Sequence, residues 1–358
     1  MNELLRELRE IIAQEGPISL ERYMSLAVFH PRYGYYTTHE PFGTNGDFVT
    51  APEISQMFGE LIGLWAAEVW RLSRAAGPMR FVELGPGRGT LMTDAMRAMR
   101  SVPALGVEVH LVEISGRLSE VQRGTLAKSD CPIYWHASIE ELPAGPAIFI
   151  ANEFLDALPV QHFVRTEKAW CERVVGVDAE GKLTFGLTPS VAGEVRRLTA
   201  PEGSILELSL KAREIARLIA TRIASKGGAL LAIDYGYTET QYGETLQAMR
   251  SHRFVDPLEA PGECDLTAHV DFAALGREAE AAGARVHGPV TQAEFLLALG
   301  ITERARMLKR NGSPAQSEAT DKALLRLTDR STPTSMGQLF KAMAVTQKEM
   351  LAIPGFAR

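Results

Sequence analysis

The sequence predicts an α/β protein built on an open, doubly wound sheet, and three observations carry that prediction. First, residues 79–84 form an apolar run ending in Glu83-Leu84. The run passes directly into Gly85-Pro86-Gly87-Arg88-Gly89, and residues 91–99 then show helical spacing with Leu91, Ala95, Met96 and Met99 on one face. Second, the device recurs. Residues 107–112 lead to Glu113, residues 147–151 to Asn152-Glu153, and residues 228–233 to Asp234. Third, residues 160–187 alternate apolar and polar positions around an Asp178-Ala179-Glu180-Gly181 turn, which marks a small antiparallel β element inserted into the α/β pattern.

The elements follow in order. Residues 2–15 and 19–28 read as helices, with Ser19 as the N-cap of the second. His30 to Tyr36 is aromatic and turn-rich. Residues 43–53 are too rich in glycine and turn residues for a helix. From residue 54 to 73, Met57, Leu61, Leu64, Trp65, Val69 and Leu72 restore helical spacing. After the strand at 107–112 come a helix over 118–126 and a short strand over 133–136. Residues 209–225 read as a helix, and residues 238–271 as a second, turn-rich insertion. Helices are expected over 272–282, 292–308 and 315–327, with strands over 285–290 and 338–346. The expected division is an N-terminal helical or lid segment over 1–75 and a sheet domain over 76–358, interrupted at about 160–208 and 238–271.

Bulk properties narrow the classes. With 46% hydrophobic and 23% charged residues over 358 positions, the composition suits a globular protein with a sizeable core. A net charge of −6 argues against non-specific nucleic-acid binding. Cys131, Cys171 and Cys264 are odd in number, scattered and in no metal-ligand spacing, so neither a disulfide framework nor a structural zinc site is expected. They suggest a reducing compartment. No apolar run reaches the roughly 18 residues of a membrane span. The acidic first helix lacks the apolar core of a signal peptide, and the expected location is cytoplasmic.

The glycine turn indicates a nucleotide-type ligand, since such folds bind beyond the carboxyl ends of their strands. A dinucleotide fingerprint would need glycine where Thr90 stands, and a phosphate loop would need Gly-Lys-Ser/Thr where the chain has Gly89-Thr90-Leu91. Glu83 would repel a pyrophosphate. S-adenosylmethionine fits, with a sulfonium, an amino group, a ribose and no phosphate. Glu83, Gly85, Gly87 and Gly89 are therefore candidate donor-binding residues. Glu113, 26 positions after Gly87, either accepts ribose hydroxyls or caps the helix near Ser115. Ser138 and Ile139 are placed beside the adenine, with a plain helix start as the alternative.

Asn152-Glu153-Phe154-Leu155-Asp156 is the second signal. Paired carboxylates can hold a guanidinium and take its proton during methyl transfer. Alternatively, Glu153 and Asp156 are dipole-favoured residues at a helix start. Asp265, His269 and Asp271 have the look of metal ligands without a second histidine or cysteine at ligand spacing, so a substrate-side loop or a helix cap at Asp271 is preferred and no metal is expected. Cys131, Cys171, Met92, Met96 and Met99 read as core.

With those segments in view, the chain resembles the MidA-like methyltransferases, whose mitochondrial members are assembly factors for respiratory complex I. The resemblance runs through nearly the whole chain. It includes Tyr33-Gly34-Tyr35-Tyr36, Gly46-Asp47-Phe48-Val49-Thr50-Ala51-Pro52-Glu53, the turn from Glu83 to Leu91, Asn152 to Pro159, Asp234-Tyr235-Gly236, Asp265 to Phe272, and Met336 to Lys341. It implies a Rossmann-like class I methyltransferase fold with a seven-stranded sheet. It also implies S-adenosyl-L-methionine as cofactor and symmetric dimethylation of a protein arginine, on the complex I subunit beside the quinone site. The implied location is mitochondrial for the eukaryotic members and cytoplasmic for a bacterial one. Glu153, Asp156 and Asn152 become the expected catalytic group. Asp47, Thr50 and Glu53 join the donor site, on a segment over 31–53 that closes over it. A donor-binding assembly chaperone, or methylation of glutamine, asparagine or a small molecule, are the alternatives. The amide methyltransferases use Asn-Pro-Pro-Tyr, from which Asn152-Glu153-Phe154 departs.

Overall fold

The computed structural model describes residues 2–39, 50–189, 191, 193 and 195–356. They fall into two compact units. One gathers the described residues of 1–48, 156–214 and 240–269; the other those of 49–155, 215–239 and 270–358. This division cuts the chain differently from the expected 1–75 and 76–358. Residues 50–75 group with the sheet, and the described residues of 160–208 and 240–269 group with the N-terminal ones.

The larger unit contains the expected sheet. Its strands are β1 (Met79–Leu84), β2 (Val107–Val112), β3 (Ile133–His136), β4 (Ala147–Asn152), β5 (Gly228–Tyr237), β6 (Arg285–Thr291) and β7 (Phe340–Thr346). Their spatial order is β6-β7-β5-β4-β1-β2-β3. β1 to β5 run parallel, and β7 is antiparallel to both neighbours. Seven strands lie on one path. An eighth, the two-residue Val270–Asp271, pairs parallel with Gly236 and Tyr237 at the end of β5. The chain winds outward from β1 to β3, then returns to start β4 on the other side of β1. That reversal between β1 and β4 is the topological switch point at which open α/β sheets bind ligands.

One face of the sheet is covered by the helices Gln56–Ser73 and Thr90–Met99. A Cβ on Gly63 would come 2.6 Å from the Ala95 carbonyl oxygen, so only glycine permits this helix crossing. Trp65, Phe58, Phe81, Ile148, Ile150 and Leu231 fill the core beneath. Trp65 Nε1 donates to the Pro354 carbonyl at 3.0 Å, which satisfies its polar atom. The carboxylate of buried Glu60 ties this layer together, accepting from Arg97 Nη2 at 3.0 Å and from Arg304 Nε at 2.7 Å.

The smaller unit holds the helices Glu3–Glu15 and Leu20–Phe29, capped by Asn2 and, as expected, by Ser19. Its five-stranded antiparallel sheet includes Gln161–Arg165, Trp170–Val177 and Leu183–Leu187. Two further strands, Ile18–Ser19 and Ile205–Leu208, were not expected. The second insertion forms a three-stranded sheet from Gln247–Arg250, Arg253–Val255 and Asp265–Thr267. Leu4, Leu8, Tyr23, Met24, Val175 and Leu266 form its core.

Two other expectations are corrected. The helix expected over 292–308 is two helices, Gln292–Ala298 and Ile301–Arg310, separated at Gly300, whose φ of 87° no helix interior accepts. Ala51–Ile54 is a single helical turn whose first three residues fall in the stretch read as non-helical. Pro52 sits at its start, where a missing N–H costs nothing.

Candidate active site

The candidate donor-binding residues of the sheet lie at or just past the carboxyl ends of β1, β2 and β3, and the candidate catalytic residues Asn152 and Glu153 at that of β4. Glu83 is paired in register with Leu111 on one side and Ile150 on the other, so the sheet holds it from both flanks. It is 3% exposed, and its Oε2 has no hydrogen-bond partner. Burial alone lifts its carboxyl pKa from 4.5 to about 8. A buried orphan acceptor of this kind suits a cationic hydrogen-bond donor, and it would resist an anion.

Beyond it the backbone turns on itself. Gly85, Gly87 and Gly89 have φ of 60°, 54° and 81°, a left-handed path that L side chains disfavour. A Cβ on Gly85 would meet the Phe154 ring at 2.8 Å. The turn therefore presents bare backbone. Gly89 forms the N-cap of the helix Thr90–Met99 without a side-chain cap.

At the end of β2, both oxygens of Glu113 are already engaged. Oε1 accepts from the Ser115 N–H at 2.8 Å and Oε2 from Gln122 Nε2 at 3.1 Å. The carboxylate thus serves the helix entry and is held in a fixed plane at a strand end. Burial pushes its pKa up, against the lowering effect of those hydrogen bonds. Two residues past β3, Ser138 leads into the short 3₁₀ turn Ile139–Glu141 without a side-chain capping bond, and Ile139 is buried. Glu113 N–H bonds to the His136 carbonyl at 2.9 Å, which brings this turn beside the end of β2.

At the end of β4, Glu153 carries a φ of 48°, a strained conformation for a non-glycine residue. Its N–H bonds to the Ile233 carbonyl at 2.9 Å. Its Oε1 accepts from the Ala51 N–H at 3.0 Å and from Asn152 Nδ2 at 3.3 Å. Asn152 Oδ1 is buried and has no hydrogen-bond partner. Asp234, fully buried at β5, accepts from the Leu155 and Tyr235 N–H groups and fixes the chain leaving β4. Thr50 is buried at the start of the turn Ala51–Ile54. Glu53, on that turn, accepts from Thr90 Oγ1 at 2.6 Å. The segment is thereby bonded to both the glycine turn's helix and Glu153. Asp47 lies outside the described residues.

Asp156, three positions after Glu153, is the first residue past the boundary between the two units. It belongs to the smaller unit, where its backbone carbonyl accepts from the Ala268 N–H at 3.0 Å. There it is close enough to Tyr36, together with Asp265, to raise the phenol pKa beyond the effect of burial. Tyr36 donates to Asp265 Oδ2 at 3.3 Å. Asp271 caps the helix Phe272–Ala281 through the Ala274 N–H, as expected. Among the described residues no cluster of histidine, cysteine and acidic side chains is arranged for a metal ion, and no helix is long and apolar enough to cross a membrane.

Three residues of the site escaped sequence reasoning. Ile114, next to Glu113, is 62% exposed and offers an apolar surface at a strand end. Its place directly after a strand-end acid was the available signal. Phe154 packs on Gly85, and Gln122 joins Glu113 to the Gly87 carbonyl at 2.9 Å. A lone glutamine or phenylalanine gives no signal in a sequence.

A family profile described as S-adenosyl-L-methionine-dependent methyltransferase matches residues 61–290. The protein arginine methyltransferase NDUFAF7 of Danio rerio mitochondria is 37% identical over 98% of this chain and 88% of its own length. Its Homo sapiens counterpart is 35% identical over 97% and 84%. A crystal structure of a candidate methyl transferase from Burkholderia thailandensis, bound to S-adenosyl-homocysteine, has a TM-score of 0.87 and 30% identity. It covers 99% of this chain and 94% of that one.

Proposed function

The chain belongs to the S-adenosyl-L-methionine-dependent methyltransferase family, and on that premise we propose that it methylates a protein arginine. The proposed product is symmetric dimethylarginine, and the proposed acceptor is the respiratory complex I subunit beside the quinone site. Curated relatives matched along nearly the whole chain bear the name protein arginine methyltransferase, which supports the acceptor class. The proposed compartment is the bacterial cytoplasm, the reducing setting that scattered cysteines favour.

The observation that carries the reading is the end of β4. Glu153 Oε1 is held by two donors, and Asn152 Oδ1 is a buried acceptor with no partner. A guanidinium offers several N–H donors in one plane, which a carboxylate and an adjacent amide oxygen can match. The cofactor supplies a methyl group activated by the sulfonium. Glu153 is assigned to orient the guanidinium nitrogen. As the N–C bond forms and the S–C bond breaks, that nitrogen loses a proton, and the Glu153 carboxylate accepts it. Asn152 fixes the second nitrogen. Glu83 is assigned to the amino group of the donor, the bare turn from Gly85 to Gly89 to its close approach, Glu113 to its ribose, and Ser138 and Ile139 to its adenine. Glu53 is assigned to brace the donor side through the Thr90 contact, and Thr50 to lead into the turn that carries it. The reaction is an in-line displacement, so positioning supplies most of the rate.

Mass spectrometry of respiratory subunits from wild-type and deletion strains tests the proposal. The deletion strain should lose a dimethylarginine on the quinone-proximal subunit, and a Glu153→Gln strain should match it. An unchanged arginine-methylation pattern would overturn the proposed acceptor.

A further inference from the structure

We infer that Gln122 is a positioning residue for the donor's ribose, acting through Glu113 and the glycine turn. The inference rests on assigning Glu113 to the ribose. Gln122 lies on the helix Gly116–Thr125 and is fully buried. Its Nε2 has two hydrogens, and both are used. One goes to the Gly87 carbonyl at 2.9 Å and the other to Glu113 Oε2 at 3.1 Å. Its Oε1 accepts from Trp135 Nε1, on β3, at 3.0 Å.

The partners fix the orientation of the amide. A carbonyl and a carboxylate can only accept, and an indole N–H can only donate, so the reverse orientation would leave all three unsatisfied. The amide therefore has one position, and it ties three strand ends together: Gly87 after β1, Glu113 after β2, and Trp135 within β3. Two consequences follow for a ligand. With Oε1 held by Ser115 and Oε2 by Gln122, the Glu113 carboxylate has a preset plane. In the trans peptide after Gly87, the carbonyl turned to Gln122 sends the Arg88 N–H the opposite way, which fixes the face that the turn offers.

A buried amide is costly to keep, and an apolar side chain of the same size would pack there more cheaply if nothing needed holding. Helix packing alone does not require a link between a glycine turn and a carboxylate 26 positions later in the chain. Pre-orienting groups that meet a ligand lowers the ordering cost at binding.

The test is a cycle between residue and ligand. S-adenosyl-homocysteine and its 2′-deoxy analogue are titrated by calorimetry against wild type and Gln122→Met, with the fold of each checked by thermal melting. In wild type, removing the hydroxyl should weaken binding about tenfold, as loss of a hydrogen bond to a charged group does. In Gln122→Met, S-adenosyl-homocysteine itself should bind about tenfold more weakly, and the hydroxyl penalty should shrink to about twofold. The donor KM should rise by a similar factor, with the acceptor KM unchanged. Gln122→Asn, which keeps the amide but shortens its reach by one methylene, should move the same way and serves if the methionine variant does not fold. A full hydroxyl penalty in both wild type and variant would overturn the role of Gln122 alone. No penalty in wild type would overturn the ribose assignment of Glu113 and the inference with it.

Discussion

Replacing Glu83 with glutamine should remove a pH-dependent weakness from the donor-free protein. Glu83 is buried at the centre of the sheet, and its carboxyl pKa is raised from 4.5 to about 8 by desolvation. The unfolded chain ionises this group near 4.5, while the folded chain keeps it protonated up to about 8. Between those values the folded state binds the extra proton, so stability falls as pH rises and levels off above 8. The full difference is about 5 kcal/mol, worked from the two pKa values. Glutamine keeps the shape and cannot ionise. Thermal melting of wild type and Glu83→Gln from pH 5 to 9, without donor, should therefore give curves that diverge, with wild type losing stability relative to the variant. A cationic ligand group placed against Glu83 would favour its ionised form. Binding of S-adenosyl-homocysteine at pH 7 should then release about one proton, read by calorimetry in buffers of different ionisation enthalpy, and none at pH 9. Parallel melting curves, or binding without proton release at pH 7, would refute the reasoning.

Other perturbations test the neighbouring parts. Gly85→Ala places a methyl in a left-handed backbone and against the Phe154 ring, so it should cost about 1–3 kcal/mol of stability and raise the donor KM. A variant with unchanged KM would mean that the turn does not approach the donor. Glu60→Ala leaves Arg97 and Arg304 without their shared carboxylate. Both arginines reach solvent, so the loss should be about 1–2 kcal/mol rather than the value for a fully buried pair. Donor affinity should not change.

The central sheet was legible because β1, β4 and β5 are largely apolar runs and, like β2, each leads to a turn or an acid. β4 and β5 are buried on both faces almost throughout, which marks parallel strands at the centre of a sheet. Ile18–Ser19 was not legible, since two residues carry no period and its pairing with Val175 and Val174 exists only in the fold. Gly300 was a visible breaker, yet the apolar spacing on either side of it continued across the break. Glu83 and Glu113 were singled out from their places at strand ends, and the fold has them there. Asn152 and Glu153 were singled out the same way, and Asp156 was added from its spacing to Glu153, which the fold places at the first residue of the smaller unit's segment 156–214. Gln122 was invisible because its meaning depends on Gly87, Glu113 and Trp135, which only the folded sheet brings around it.

The most direct test of methyl transfer at the end of β4 uses S-adenosylmethionine carrying a radiolabelled methyl group. The purified protein is incubated with it and membranes from the deletion strain, and the labelled acceptor is hydrolysed to amino acids. The label should appear in dimethylarginine. With Glu153→Gln the rate should fall by about a hundredfold or more, as loss of a general base does, while S-adenosyl-homocysteine still binds. Label in another residue, or full activity in Glu153→Gln, would contradict the account.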